Sequence, residues 1–185
     1  MSSYLVRVGF FALALAILAP ALAADDFGLT ADEFVAAVNQ RWHQTRPATI
    51  AWREDYDDHP TSTTAIVGFE FNTPCANATA EIDKKSQRIL NFVIGPTDAD
   101  NSGSRCELDA KGMDTIAVVV ANVVLTAVTT EHDSGKTLAA LTKLATEAKA
   151  DDAHPLVRLA EMKFGGRTVE ISIFYSRVEI LIFPG

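Results

Sequence analysis

The chain of 185 residues carries 24 acidic side chains against 16 lysines and arginines, a formal net charge of −8. Such a surface repels nucleic acid and anionic membrane and favours a basic partner. The hydrophobic fraction of 48 % and the length suit one domain with a sizeable core.

Residues 1–23 read as a secretory signal peptide. Arg7 precedes an apolar stretch from Val8 to Ala19, Pro20 breaks it, and Ala21-Leu22-Ala23 places small residues where a signal peptidase reads them. The apolar run is too short for a comfortable membrane span. No cysteine near the cleavage point offers a lipid anchor. Cleavage after Ala23 leaves 162 of the 185 residues, so 24–185 is expected as a single periplasmic or secreted domain without a stable membrane anchor. Loss of Arg7 takes the net charge to about −9, which suits solubility as well as a basic partner. Cys75 and Cys106 are the only cysteines. In an exported chain an even count predicts a disulfide, and closing this loop is worth roughly 3–4 kcal/mol in the chain-entropy model.

Residues 24–29 read as a short lead. Thr30 followed by Glu33 is a capping box, Leu29 and Phe34 form the matching staple, and Phe34, Val35, Val38 and Trp42 share a helical face. The helix is expected over 31–43, and Pro47 stops any continuation. Val67, Phe69 and Phe71 alternate with polar or small residues, as do Ala78, Ala80 and Ile82. A turn at Lys84-Lys85-Ser86 leads to a strand from Ile89 to Ile94. Thr97 to Arg105 reads as a polar loop. Residues 113–129 are apolar almost throughout and long without turn signals, which predicts one buried helix. A second amphipathic helix is expected over 137–150, with Leu138, Leu141, Leu144 and Ala148 inward and a cap at or near Ser134. Ala160, Met162 and Phe164 lead into a Gly165-Gly166 turn. Val169, Ile171, Ile173 and Tyr175 then alternate, and a last strand runs from Val178 to Phe183. Short connections make these strands antiparallel.

The expected fold is therefore α+β: an antiparallel sheet of about six strands with three helices on one face. The two halves match in outline, each a helix followed by a meander. Residues 66–71 line up with 159–164, 80–82 with 169–171, and 91–96 with 179–184. The layout resembles in shape that of secreted β-lactamase inhibitors, a likeness that no motif of this chain carries and that transfers no function.

The chain has no Gly-x-Ser-x-Gly elbow, no His-Glu-x-x-His helix and no dinucleotide glycine fingerprint. Ser134-Gly135-Lys136-Thr137 copies only the end of a phosphate loop, with Thr130 where the first glycine belongs. Asp98, Asp100, Ser102 and Asp109 fall at calcium-ligand positions 1, 3, 5 and 12 of an EF-hand-like loop, with Gly103 at the sixth. Arg105, Cys106 and the absent flanking helices depart from that pattern, so the loop is expected to bind Ca2+ weakly or to be a plain polar turn. The segment Trp52, Arg53, Glu54, Asp55, Tyr56, Asp57, Asp58, His59 mixes aromatics with carboxylates. That mixture suits protein recognition, acid–base hydrolysis, or an exposed connection. His43, His132 and His154 share no ligand spacing. Asn77-Ala78-Thr79 is a glycosylation sequon where a strand should begin. The reading favoured is an exported, non-enzymatic binding protein, inhibitor-like or envelope-accessory, that presents a sheet face or the acidic-aromatic segment to another protein. A small envelope hydrolase using carboxylates of residues 54–58 with His59, and a calcium module, are the alternatives.

Overall fold

The computed structural model describes residues 26–42, 47–55, 63–71, 75–96, 110–129, 133–150, 157–174 and 177–185. The first helix, α1 (Ala31–Arg41), begins where the capping box places it. The Glu33 N–H donates to the Thr30 hydroxyl at 3.3 Å, and the Thr30 N–H donates back to the Glu33 carboxylate at 2.8 Å. Phe34 and Val38 are buried beneath it, with Val35 and Trp42 partly so.

Four strands follow as a meander: β1 (Thr49–Asp55), β2 (Thr64–Glu70), β3 (Ala76–Asp83) and β4 (Ile89–Pro96). The apolar run forms α2 (Ala110–Val128), buried on nearly every side from Ala117 onward, as its composition predicts. Next comes α3 (Ser134–Glu147). Its cap is Asp133 rather than Ser134, and the Asp133 carboxylate accepts from the Lys136 N–H at 3.0 Å. This helix starts and stops three residues earlier than the amphipathic pattern implies, and Thr137, Leu141 and Leu144 form its buried stripe. A second meander completes the chain: β5 (Lys149–Ala150), β6 (Val157–Phe164), β7 (Arg167–Phe174) and β8 (Arg177–Pro184). Gly165 and Gly166 both have positive φ, which gives β6 and β7 the two-residue turn that fits strand twist.

The sheet has eight strands where about six were expected, in the order β1-β2-β3-β4-β8-β7-β6-β5, antiparallel throughout. Both additional strands, β1 and β5, are edge strands: β1 is largely exposed and β5 spans two residues, so neither writes a clear alternation into the sequence. The helices cover one face. On that face a single row of paired residues runs Ile50, Phe69, Ala78, Ile94, Ile180, Ile171, Ala160 across seven strands, every one apolar. The ring of Phe34 on α1 reaches into it, 4.9 Å from Phe69 and 4.8 Å from Phe92 between centroids.

The two halves share one topology and meet at β4 and β8. Val93 stands opposite Leu181, flanked by Phe92 opposite Ile182 and Ile94 opposite Ile180. Matching 91–96 to 179–184 places Phe92 on Ile180 and Ile94 on Ile182, so this register maps onto itself. The centre of the sheet therefore lies on an approximate two-fold axis through the Val93–Leu181 pair. Carried outward through the ladders, the same axis places 66–71 on 159–164, as the sequence match does. It places Ala78 and Ala80 on Val169 and Ile171, which corrects the match of 80–82 with 169–171 by two residues. A slip of two leaves the same side chains facing inward, so alternation alone cannot detect it.

The connector α2 lies over this centre, against β3, β4, β8 and both other helices. Its last carbonyls point where no further turn can accept them. Arg41 of α1 donates to the Thr126 carbonyl, and Arg167 of β7 donates to the Val128 carbonyl through Nε at 3.1 Å and a terminal nitrogen at 3.0 Å. The Arg167 guanidinium also sits 4.8 Å from the centre of the Phe27 ring, and burial lowers its pKa. One arginine from each half thus closes the helix that joins them, at the end where cations are favoured.

Candidate functional site

Paired residues in a sheet share a face, and successive residues of a strand alternate between faces. The register therefore also fixes what lies on the side away from the helices. Its central row reads Trp52, Gly68, Thr79, Val93, Leu181, Glu170, Glu161 from β1 to β6. Around it on the same face stand Glu54 and Ile66, Glu81 and Asn91, Phe183, Thr168 and Lys163, and Glu179, Ser172 and Leu159. Glu70 joins them one pleat beyond Gly68. Leu159, 49 % exposed, and Trp52, 45 % exposed, are two large apolar side chains standing open to solvent. The carboxylates are Glu54, Glu70, Glu81, Glu161, Glu170 and Glu179, with Asp83 at the end of β3. Among the described side chains of these strands, Lys163 is the base placed with them.

Trp52 reaches this face through a local irregularity. Ile50 pairs with Phe69 on the helix side, but the register shifts before Trp52, which pairs with Gly68 on the open side. Without that bulge Trp52 would point into the core with Ile50, since residues two apart share a face. Gly68 completes the arrangement. A Cβ built there would collide with the indole, so the ring lies directly on the β2 backbone. Glu54 flanks Trp52 along β1, and Glu70 flanks it along β2. Of the acidic-aromatic segment, Trp52 to Asp55 are thus edge strand rather than an exposed connection. Residues 56–62, with Tyr56, Asp57, Asp58 and His59, lie outside the described residues, as does the side chain of Asp55.

Glu170 and Glu161 face each other directly across β7 and β6. Like charges at opposed positions repel, and neither carboxylate has an ion-pair partner among the described residues. Glu81 is better provided for, accepting from the Asn91 side-chain amide at 2.7 Å. The sequence did hold a signal for this face. An apolar–Glu–apolar triplet recurs at Phe69-Glu70-Phe71, Ala80-Glu81-Ile82, Ala160-Glu161-Met162, Val169-Glu170-Ile171 and Val178-Glu179-Ile180. Each puts a glutamate on the open side of its own strand. That these strands fall into two neighbouring groups, β2 with β3 and β8 with β7 and β6, on either side of β4, is a matter of topology.

An open cleft of about 530 Å³ lies on the helix side, lined by Gln40, Arg41, Trp42, Thr126 and Ser134. The Trp42 indole N–H donates to the Thr126 hydroxyl at 3.1 Å, and that hydroxyl bonds back to the Asn122 carbonyl at 2.8 Å. The side-chain oxygen of Asn122, 3 % exposed, has no hydrogen-bond partner among the described residues. The phosphate-loop mimic also falls here, and it is no anion site. The Asp133 carboxylate already occupies the α3 N-terminus, where an anion would sit.

The calcium-like residues Asp98, Asp100, Ser102 and Asp109, and likewise His43, His132, His154 and Cys106, lie outside the described residues. Among the described residues no group of three or more His, Cys, Asp or Glu side chains is placed to hold a metal ion. No described helix is long and apolar enough to cross a membrane. Cys75 is buried at the start of β3, and Asn77 of the sequon is exposed on the open face. No protein-family model, no curated protein and no solved structure matches the chain.

Proposed function

We propose that this chain is an exported, non-enzymatic binding protein whose open sheet face docks a basic protein partner. The observation that carries the reading is the placement of Trp52. A bulge turns it outward, a glycine seats it, and two glutamates flank it, on a face where the helices leave the sheet bare. A rigid, exposed aromatic amid polar residues is the kind of anchor that supplies most interface energy. The surrounding carboxylates would steer a basic surface toward it and set the association rate. Export rests on the leader-like residues 1–23, and a Cys75–Cys106 bridge on the two lone cysteines, so both belong to this reading.

The test uses exported protein, whose intact mass reports leader cleavage and the disulfide together. Immobilised wild type and Trp52→Ala are compared in capturing proteins from the native envelope extract. The affinity of each for the purified partner is then measured. Trp52→Ala should weaken binding by on the order of 2 kcal/mol, with the denaturation midpoint serving as control. Glu54→Gln and Glu170→Gln should mainly slow association at low salt. A Trp52→Ala variant that keeps full affinity for a partner that the wild type captures would sink the proposal.

A further inference from the structure

We infer that two copies of this chain join edge to edge through β6, antiparallel and centred on Met162, to continue one sheet across the pair. The two edges of the eight-stranded sheet are not alike. At one edge β1 pairs with β2 from Thr49 to Asp55, carries a bulge between Ile50 and Trp52, and exposes Arg53 and Glu54. Bulges and charges of this kind blunt an edge against further pairing. At the other edge β5 pairs with β6 only at Arg158 and Leu159. From Ala160 to Phe164 the outer side of β6 has no strand partner among the described residues, and its register with β7 runs without a shift over all eight residues. Among the described residues that stretch of edge is regular and unpaired.

The two-fold relation between the halves shows what this edge lacks. Val67, Phe69 and Phe71 correspond to Ala160, Met162 and Phe164. The first three are buried and the second three are only half-buried, although all six face the helices. A strand laid along β6 would cover the second set as β1 covers the first. The β6 sequence says which strand fits. Antiparallel pairing about Met162 sets Glu161 opposite the second copy's Lys163, and Lys163 opposite the second copy's Glu161. It sets Ala160 opposite the second copy's Phe164, small against large. Opposed charges across a ladder attract, and an isologous contact uses each such pair twice. The second copy also brings a cation beside Glu161, where Glu170 alone now faces it. The pairing repeats between molecules what β4 and β8 already do within one.

A contact of about five residues is far below standard interface size, so a dissociation constant on the order of 10–100 µM is expected. Sedimentation of the full chain across a concentration series should show this dimer, weakened at high salt. Glu161→Lys and Lys163→Glu, both at exposed positions, should each weaken self-association at least tenfold, by placing like charges opposite. An equimolar mixture of the two should dimerise again, because each supplies the charges that the other needs. Wild type that stays monomeric at roughly 0.5 mM overturns the inference. So do dimers that survive either single variant, and single variants that fail to associate with each other while their circular dichroism is native.

Discussion

In the first half the core beneath the sheet is aromatic; in the second it is aliphatic. Phe27, Phe34, Phe69 and Phe92 meet edge to face or tilted, with centroid separations from 4.8 to 6.1 Å, and all belong to the first half. At the equivalent places the second half uses Met162 for Phe69 and Ile180 for Phe92. The strand between compensates. Phe92 pairs with Ala80, whereas Ile180 pairs with Ile171. One half fills its layer with a large residue beside a small one, the other with two of middle size, and both reach full burial. The two halves thus fill equivalent places in the same layer with different residue pairs, each packed to burial.

Truncating these core pairs should disturb the molecule most. Phe92→Ala should cost about 3–5 kcal/mol, and Ile180→Ala about 2–5 kcal/mol. A sharper trial moves the second half's pair into the first. Ala80→Ile alone should cost about 1–3 kcal/mol by overpacking, and Phe92→Ile alone should leave a gap. The double variant should cost clearly less than the two summed, because the sites share one volume. Urea midpoints decide it, and simple additivity would mean the halves are not packed on the same rule.

The arginines that close α2 give an intermediate effect. Arg167→Ala removes two donors from the Val128 carbonyl and a cation from the Phe27 face, and should cost about 1–3 kcal/mol. Arg41→Ala should cost less, since its side chain is exposed. Equal losses by chemical denaturation would show that the two halves grip the connector alike.

The smallest effect distinguishes the helix starts. Thr30→Ala and Asp133→Ala should each cost about 1 kcal/mol as lost caps. Only the first half closes a reciprocal box, and hydrogen bonds from Thr30 hold the Glu33 pKa below its ordinary value of 4.5. A carboxyl with a lowered folded pKa adds stability that is present above its unfolded pKa and lost as pH falls through the folded one. Glu33→Gln should therefore lower stability slightly at neutral pH, leave it nearly unchanged well below about pH 4.5, and so flatten the acid limb of the curve. Asp83, whose pKa the Ser86 backbone N–H lowers, contributes to the same limb in both proteins.

Local chemistry settled much of this molecule in advance. The Thr30–Glu33 box, the Gly165-Gly166 turn, the apolar length of α2 and the alternation in the inner strands each act over a few residues. Each could therefore be read directly. The sequence also announced two similar halves and an α+β sheet. Only the tertiary structure decided how the halves join, because strand alternation has period two and is blind to a slip of two residues or to which edges meet. It alone placed Trp52 on the open face, since a bulge between Ile50 and Trp52 leaves no mark in composition. It alone brought Glu161 opposite Glu170, and Arg41 and Arg167 to one helix end. Those contacts join residues far apart in the chain, and no residue type encodes its distant partner.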